Sequence, residues 1–428
     1  MVKSGLLNKV LRYGGASIGP IGSAGAQFLL SLVLLRALPQ RDFGAFSFLL
    51  TASQLSWGLW SAMFCAPLPI LFHSTQGQER SRLLTCLFST NILVAILACP
   101  LFAILAVALK LPMTAVILFA AYGSIALLRW FARAYAYANG TPLRTTFSDI
   151  AYAAALLVGI LIILLDGSKS LNVAYGALLV SAALGLLPFG PDYLKKQFAS
   201  FSFTAVPRYW SIWKQHSGWS LIGVLTTEAT ANSHVYIVTA WFGPKAFAPI
   251  AASALLIRPI NVAMNALVEF ERAQMARAIG ALRFNEAFAA ASFFRKAMIA
   301  AWIATMIAVA ILLYYAPHAL FPRQYPLSFL MIAGVLWMLV AAVRLLRMPE
   351  SALLQAAGQF RPLALASVVS SGFSVVAVTV LLVFAGVLWS IVGILIGEAI
   401  YAFWIFRQCQ HWRRNQTNEG TEPQVLTV

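Results

Sequence analysis

Charge is what this 428-residue sequence has least of: Asp, Glu, Lys and Arg make up only 10% of it, and 13 residues are acidic. A soluble domain carries roughly a quarter of its residues charged, so that class is excluded. Cysteine is equally scarce. The four cysteines, Cys65, Cys86, Cys99 and Cys409, stand far apart and form no CxxC pair, which speaks against a disulfide framework or a thiolate metal site. There is no GxxxxGK[ST] loop and no HExxH, and His73, His216, His234, His318 and His411 are scattered. Nucleotide hydrolysis on a phosphate-cradling loop and zinc hydrolysis therefore have no residues to run on. No cofactor and no metal is expected.

What the chain has in abundance is apolar sequence, 61% of its residues with a mean hydropathy of +0.82. At about 20 residues per crossing, the runs fall at 15–37, 43–71, 83–109, 112–136, 147–166 and 171–189, then at 217–241, 247–268, 295–316, 326–347, 362–386 and 388–407. The expected fold is an all-α polytopic membrane protein with twelve transmembrane helices in two six-helix bundles. The +17 net charge resembles that of a nucleic-acid binder, but the basic residues sit in short clusters between apolar runs, where they read as topology signals. With both termini inside, twenty-three lysines and arginines fall on the inner side and six on the outer, and only Arg258 of the thirty is left over. That bias predicts cytoplasmic termini.

The expected organisation is an interfacial segment at 1–14, a first bundle at 15–190, an amphipathic linker at 191–216, a second bundle at 217–408 and a disordered cytoplasmic tail at 409–428. The linker mixes Lys195, Lys196, Arg208 and Lys214 with Phe201, Phe203, Tyr209, Trp210 and Trp213, a composition suited to an anionic membrane surface. Two turns repeat between the halves. LPQRDFGAF at Leu38–Phe46 parallels FGPKAFAPI at Phe242–Ile250, and YANGTPLR at Tyr137–Arg144 parallels QAAGQFR at Gln355–Arg361. Two matches in register indicate a parallel repeat. Gly19, Gly22 and Gly25 recur every three residues in the first run, a spacing that permits close helix packing.

Chemistry in such a chain is sought among charges at membrane depth, because each is costly there. Arg258 lies mid-run beside Pro259, and Asn261 and Asn265 follow on its face at i+3 and i+7. Neighbouring carbonyls could satisfy this arginine, or it could line a cavity that receives an anion. Glu228, with Asn232 one turn on, and Glu398 are the deep carboxylates. Each could pair structurally or take up a coupling cation, and the two are the coupling candidates. His234 is off the Glu228 face and reads as a packing residue. Arg129 and Arg133, one turn apart, and Arg344 and Arg347 lie near span ends, where snorkelling towards headgroups is the ordinary explanation. Asp149 reads as an ordinary helix-start carboxylate. The candidate cavity set is Arg258, Asn261, Asn265, Glu228, Asn232, Arg129 and Arg133. If several of these arginines share a cavity, its ligand is anionic, and a lipid-linked diphosphate fits, since guanidinium binds phosphate oxygens two at a time.

The stretches LLRALPQRDFG at Leu34–Gly44 and AAGQFR at Ala356–Arg361 resemble the polysaccharide-transport branch of the MOP superfamily, the Wzx-type flippases, with MATE exporters and lipid II flippases as more distant kin. The resemblance runs along essentially the whole chain. It implies a V-shaped pair of bundles opening alternately to either side, with a cationic central cavity onto which Arg258 maps. It further implies transport of undecaprenyl-diphosphate-linked repeat units across a bacterial inner membrane for O-antigen or exopolysaccharide assembly. The partners so implied are the lipid-linked oligosaccharide, membrane lipids, a proton or sodium, and glycan polymerase and chain-length proteins, with no nucleic acid. The chain is short for the lipid II type, which adds two helices. Two other readings stay open: a cation-coupled exporter of drugs or metabolites centred on Glu228 and Glu398, and a membrane-embedded glycan polymerase or ligase. No outer loop exceeds about a dozen residues, short for a catalytic lid.

Overall fold

In the computed structural model, residues 2–68, 76–167, 170–199 and 201–419 are described, and they contain helices and turns but no strand. The first half comprises α1 (Val2–Ala37), α2 (Gln40–Trp60), α3 (Gly77–Ala108), α4 (Met113–Ala138), α5 (Pro142–Asp166) and α6 (Leu171–Leu184). A short α7 (Pro191–Ala199) lies in the linker, and the second half comprises α8 (Gly218–Ala254), α9 (Arg258–Gly280), α10 (Phe284–Tyr315), α11 (Leu327–Ala356), α12 (Phe360–Phe384) and α13 (Ser390–Glu419).

Ten helical segments among the described residues are long and apolar enough to cross a membrane. One of these, Ser220–Val262, is interrupted by the non-helical backbone of Gly243 (φ 78°, ψ 169°) and so supplies two crossings. The remaining crossing is α2, whose Thr51, Ser53, Gln54 and Ser56 lower its hydropathy. The expected twelve-helix all-α architecture is thereby met.

Two boundaries differ from the sequence reading. The expected interfacial segment is continuous with the first crossing in α1, and helix α13 runs on through Glu419, into the stretch expected to be a disordered tail. Residues 420–428 lie outside the described set.

The repeated turns end their helices in the same way. Gly140 and Gly358 both adopt φ 72°, a left-handed value that glycine accepts without Cβ strain. In each, the next residue donates back across the turn, Thr141 N to Ala136 O at 2.8 Å and Gln359 N to Leu354 O at 2.9 Å. This is the six-to-one bond that satisfies orphan helix carbonyls. Pro142 then opens α5 in the first half, and elsewhere Ser170, accepting from Asn172 N, caps α6.

The described chain divides into two compact units, one of Met1–Leu225, Val238–Leu255 and Phe321–Tyr325, the other of Thr226–Ile237, Leu256–Leu320 and Pro326–Val428. The division is therefore finer than a single cut at the linker. Within the first unit α1 packs on α5, and α4 packs on α3 and α6. Small residues let these backbones approach, as lipid offers no hydrophobic drive for helix association. A Cβ on Gly19 would stand 3.0 Å from Asp149 Cβ, and one on Gly159 would stand 2.4 Å from Ala177 Cβ. Of the repeating glycines, Gly19 thus marks a close approach, Gly22 an ordinary contact and Gly25 open space.

Within the second unit α13 packs on α12 and α11, and α9, α10 and α11 pack together. A hydroxyl ladder joins α8 to α12: Thr226 to Ser367 at 2.8 Å, Thr230 to Ser370 at 3.2 Å, and Ser374 Oγ to Thr230 O at 2.9 Å. The same pairing of first and fifth helices occurs in the first unit, where Gln27 of α1 donates to Tyr152 of α5 at 2.9 Å.

The linker folds onto the first unit. Tyr209 and Ser217 both donate to Met63 O, at 2.8 and 2.9 Å, a carbonyl in the π-helical turn Ser61–Cys65. Burial pushes the Tyr209 phenol up to about 12, which keeps it protonated as the donor. Phe198, Phe203 and Trp210 remain exposed.

Candidate functional site

Buried arginines organise both units. In the first, Arg129 and Arg133 project from one face of α4 and meet a single carboxylate of α5, Asp149, at 2.5 and 2.9 Å. Asp149 is fully buried. Arg129 also donates from Nε to Ser148 Oγ at 3.1 Å, and its guanidinium lies 4.5 Å from the centre of the Tyr152 ring. Gly185 leaves the room it occupies, since a Cβ there would fall 2.5 Å from Arg129 Nε.

In the second unit, Arg344 and Arg347 of α11 meet Glu398 of α13 at 2.7 and 3.0 Å. The Arg347 guanidinium lies 4.2 Å from the centre of the Tyr401 ring. Arg344 reaches further, donating to Ala231 O at 3.3 Å. Arg295 is likewise paired, with Glu350.

These contacts correct two expectations. Arg129, Arg133, Arg344 and Arg347 do not snorkel; each turns inward to a carboxylate, because a buried carboxylate and a buried guanidinium are each too costly alone. Nor is Asp149 an ordinary helix-start residue. It lies two turns inside α5 and neutralises charge for α4. Glu398, a coupling candidate by sequence, has both oxygens committed to arginines, Arg344 and Arg347.

Glu228 stands differently. It is half-buried on α8, accepts from Tyr236 Oη at 2.7 Å, and forms no ion pair within 4 Å among the described residues. Asn232 and Arg344 also face it. A carboxylate held by neutral donors, with a guanidinium only in the second rank, retains capacity for a proton or a small cation. His234 is buried against the Trp337 ring, 5.3 Å between centres, the packing role expected of it.

Arg258 opens α9 after a break formed by the 3-10 turn Leu255–Ile257 and Pro259. Its side chain is half-buried, and it forms no hydrogen bond or ion pair among the described residues. On the same face, Asn261 Oδ1 is buried without a partner; the side chain of Asn265 lies outside the described set. The candidate residues therefore do not gather in one cluster: Arg129 and Arg133 belong to the Asp149 group, Glu228 and Asn232 to the Arg344 neighbourhood, and Arg258 and Asn261 to the start of α9.

The sequence reading missed Asp149 as a hub and the tyrosine that follows each bridging carboxylate by three residues. The signal was present: Asp149-x-x-Tyr152 and Glu398-x-x-Tyr401 recur with an arginine pair upstream in each half.

No protein-family model and no curated protein matches the sequence. The fold does have solved counterparts. An inward-facing multidrug resistance MATE family transporter of the MOP superfamily superposes with a TM-score of 0.67 at 14% identity, over 92% of this chain and 96% of its own. A MATE protein in the straight conformation gives 0.64 at 14% identity, over 96% of each chain. The Vibrio cholerae MATE transporter VcmN, in a mutant form, gives 0.64 at 14% identity, over 96% of this chain and 98% of its own. At that identity the likeness establishes the MATE fold along nearly the full length.

Proposed function

We propose that this protein is an alternating-access membrane transporter that flips an oligosaccharide linked to a polyprenyl diphosphate, and that Arg258 receives the diphosphate. The observation that carries the reading is a contrast among deep arginines. Arg129, Arg133, Arg344 and Arg347 each have a carboxylate, whereas Arg258 has none among the described residues, although an uncompensated guanidinium inside a membrane costs at least about 2.5 kcal/mol. A ligand bearing phosphate oxygens supplies the missing partner with two charge-assisted bonds. The basic bias of the inner loops supports a bacterial inner-membrane setting with both termini cytoplasmic.

The test is translocation of a fluorescent polyprenyl-diphosphate sugar in proteoliposomes. Arg258→Ala is expected to lower the rate at least about tenfold, the loss of one charge-assisted contact of about 1.5–3 kcal/mol, with insertion and thermal stability unchanged. An unaltered rate removes Arg258 from the mechanism.

One observation favours a second reading, a cation-coupled exporter. Glu228 is held by Tyr236 and Asn232 without an ion pair among the described residues, so it is free to exchange a proton or sodium. Under that reading Glu228→Gln abolishes the dependence of export on an imposed ion gradient. Under the flippase reading the same carboxylate supplies the coupling step, and the two separate by cargo: an organic cation against an anionic lipid.

A further inference from the structure

The Asp149 group has one carboxylate for two guanidiniums, so it carries one positive charge in excess. Arg129 is enclosed by Asp149, Ser148 and Tyr152. Arg133 is less tied: its side chain is 14% accessible against 10% for Arg129, Asp149 is its one hydrogen-bonded side-chain partner, and its Nε is buried with no hydrogen-bond partner among the described residues. Surplus charge on a guanidinium with a buried, unpartnered Nε is stabilised by water or a polar ligand at its accessible end.

What shares that flank is informative. The Arg133 guanidinium lies 4.9 Å from the centre of the Trp130 ring. Trp130 is stacked on Trp57 of α2, with ring centres 5.4 Å apart and planes 11° apart. Trp130 is fixed by donating from Nε1 to Ser61 Oγ at 2.6 Å, and both rings are half-buried. One turn before Trp57 on the same helix face, Gln54 is exposed within the crossing. The exposed Gln54 amide, Trp57, Trp130 stacked on it and the Arg133 guanidinium over Trp130 thus form one row, with no exposed carboxylate in it among the described residues.

We infer that Gln54, Trp57, Trp130 and Arg133 form a saccharide-binding platform, the place in the first unit where the sugar portion of the cargo rests. Sugar rings present C–H faces that pack on aromatic faces and hydroxyls that bond to amides and guanidinium. The surplus positive charge repels an organic cation, so the platform suits a neutral or acidic sugar. This inference rests on the flippase reading and deepens it.

The test compares two probes on the full-length protein in nanodiscs: farnesyl diphosphate, and farnesyl diphosphate bearing N-acetylglucosamine. Wild type is expected to bind the sugar-bearing probe about tenfold more tightly, an increment in the range of one good stacking contact. Trp57→Leu is expected to bring the two affinities within about twofold of each other while the plain diphosphate binds as before. Gln54→Ala, at an exposed position that disturbs no packing, is expected to narrow the gap in the same direction. If the gap persists in both variants, or wild type shows no gap while binding both probes, the platform is overturned and the flippase reading stands. If wild type binds neither probe, both fall together.

Discussion

The two arginine groups are built from the same parts on different scaffolds. Each takes a pair of arginines from the fourth helix of its half and one carboxylate with a tyrosine three residues on. In the first unit the carboxylate comes from the fifth helix, as Asp149, and in the second from the sixth, as Glu398. Arginine spacing follows the change, i and i+4 in one and i and i+3 in the other. The charge balance differs too. Arg344 has Glu228 in its neighbourhood as well as Glu398, while among the described residues Arg129 and Arg133 share Asp149 alone. The same chemical solution to a buried arginine pair therefore has a second carboxylate in its neighbourhood in one unit and none among the described residues in the other.

That contrast is tested most strongly at the bridging carboxylates. Asp149→Asn leaves two buried guanidiniums uncompensated and is expected to cost about 3–5 kcal/mol, read from denaturant unfolding of the purified protein. Glu398→Gln is expected to cost measurably less, because Glu228 still faces Arg344; an equal or larger loss shows that Glu228 shares no charge with that group. Packing behind the groups is the next lever. Gly397→Ala places a Cβ 2.4 Å from Ser374 Cβ, a backbone-anchored neighbour, and is expected to destabilise by about 1–3 kcal/mol. Gly185→Ala meets chiefly the long, flexible Arg129 side chain, with Ser181 O at 3.2 Å, so a smaller thermal shift is expected, accompanied by loss of the Arg129 to Ser148 contact in a structure of the variant.

The smallest difference lies in the tyrosines. Tyr152→Phe removes the acceptor of the buried Gln27 amide and is expected to cost about 1 kcal/mol, whereas Tyr401→Phe keeps the ring under Arg347 and is expected to be neutral in the same unfolding measurement. Equal costs would mean that the rings, and not the Gln27 bond, set the role of both tyrosines.

Much of the architecture is legible in the sequence, for reasons that individual residues make plain. Apolar runs of crossing length have no stable place but a membrane, and the glycines at 140 and 358 mark the same helix stop in both halves because only they accept that backbone without strain. Arg258 stands out by the cost of its position. Its lack of a carboxylate among the described residues could not be read in advance, and neither could the partners of Arg129, Arg133 and Glu398. Pairing between helices depends on how each is rotated about its axis, and apolar periodicity is weak in helices that are hydrophobic on every side. Asp149 was misread for that reason, because its place near a helix start hid the arginines facing it from α4. Trp57 and Trp130 were not singled out at all, being 73 residues apart in the chain and ordinary membrane aromatics until stacked.

The sequence by itself determined that this chain lives in a bilayer, crosses it in two repeated sets of helices, and holds one arginine, Arg258, in the middle of an apolar run. Tertiary structure alone decided which cations are neutralised and which are not. A carboxylate cancels a guanidinium only within a few ångströms, and the low dielectric of the membrane interior makes that short distance the difference between a structural pair and a charge left to bind something else.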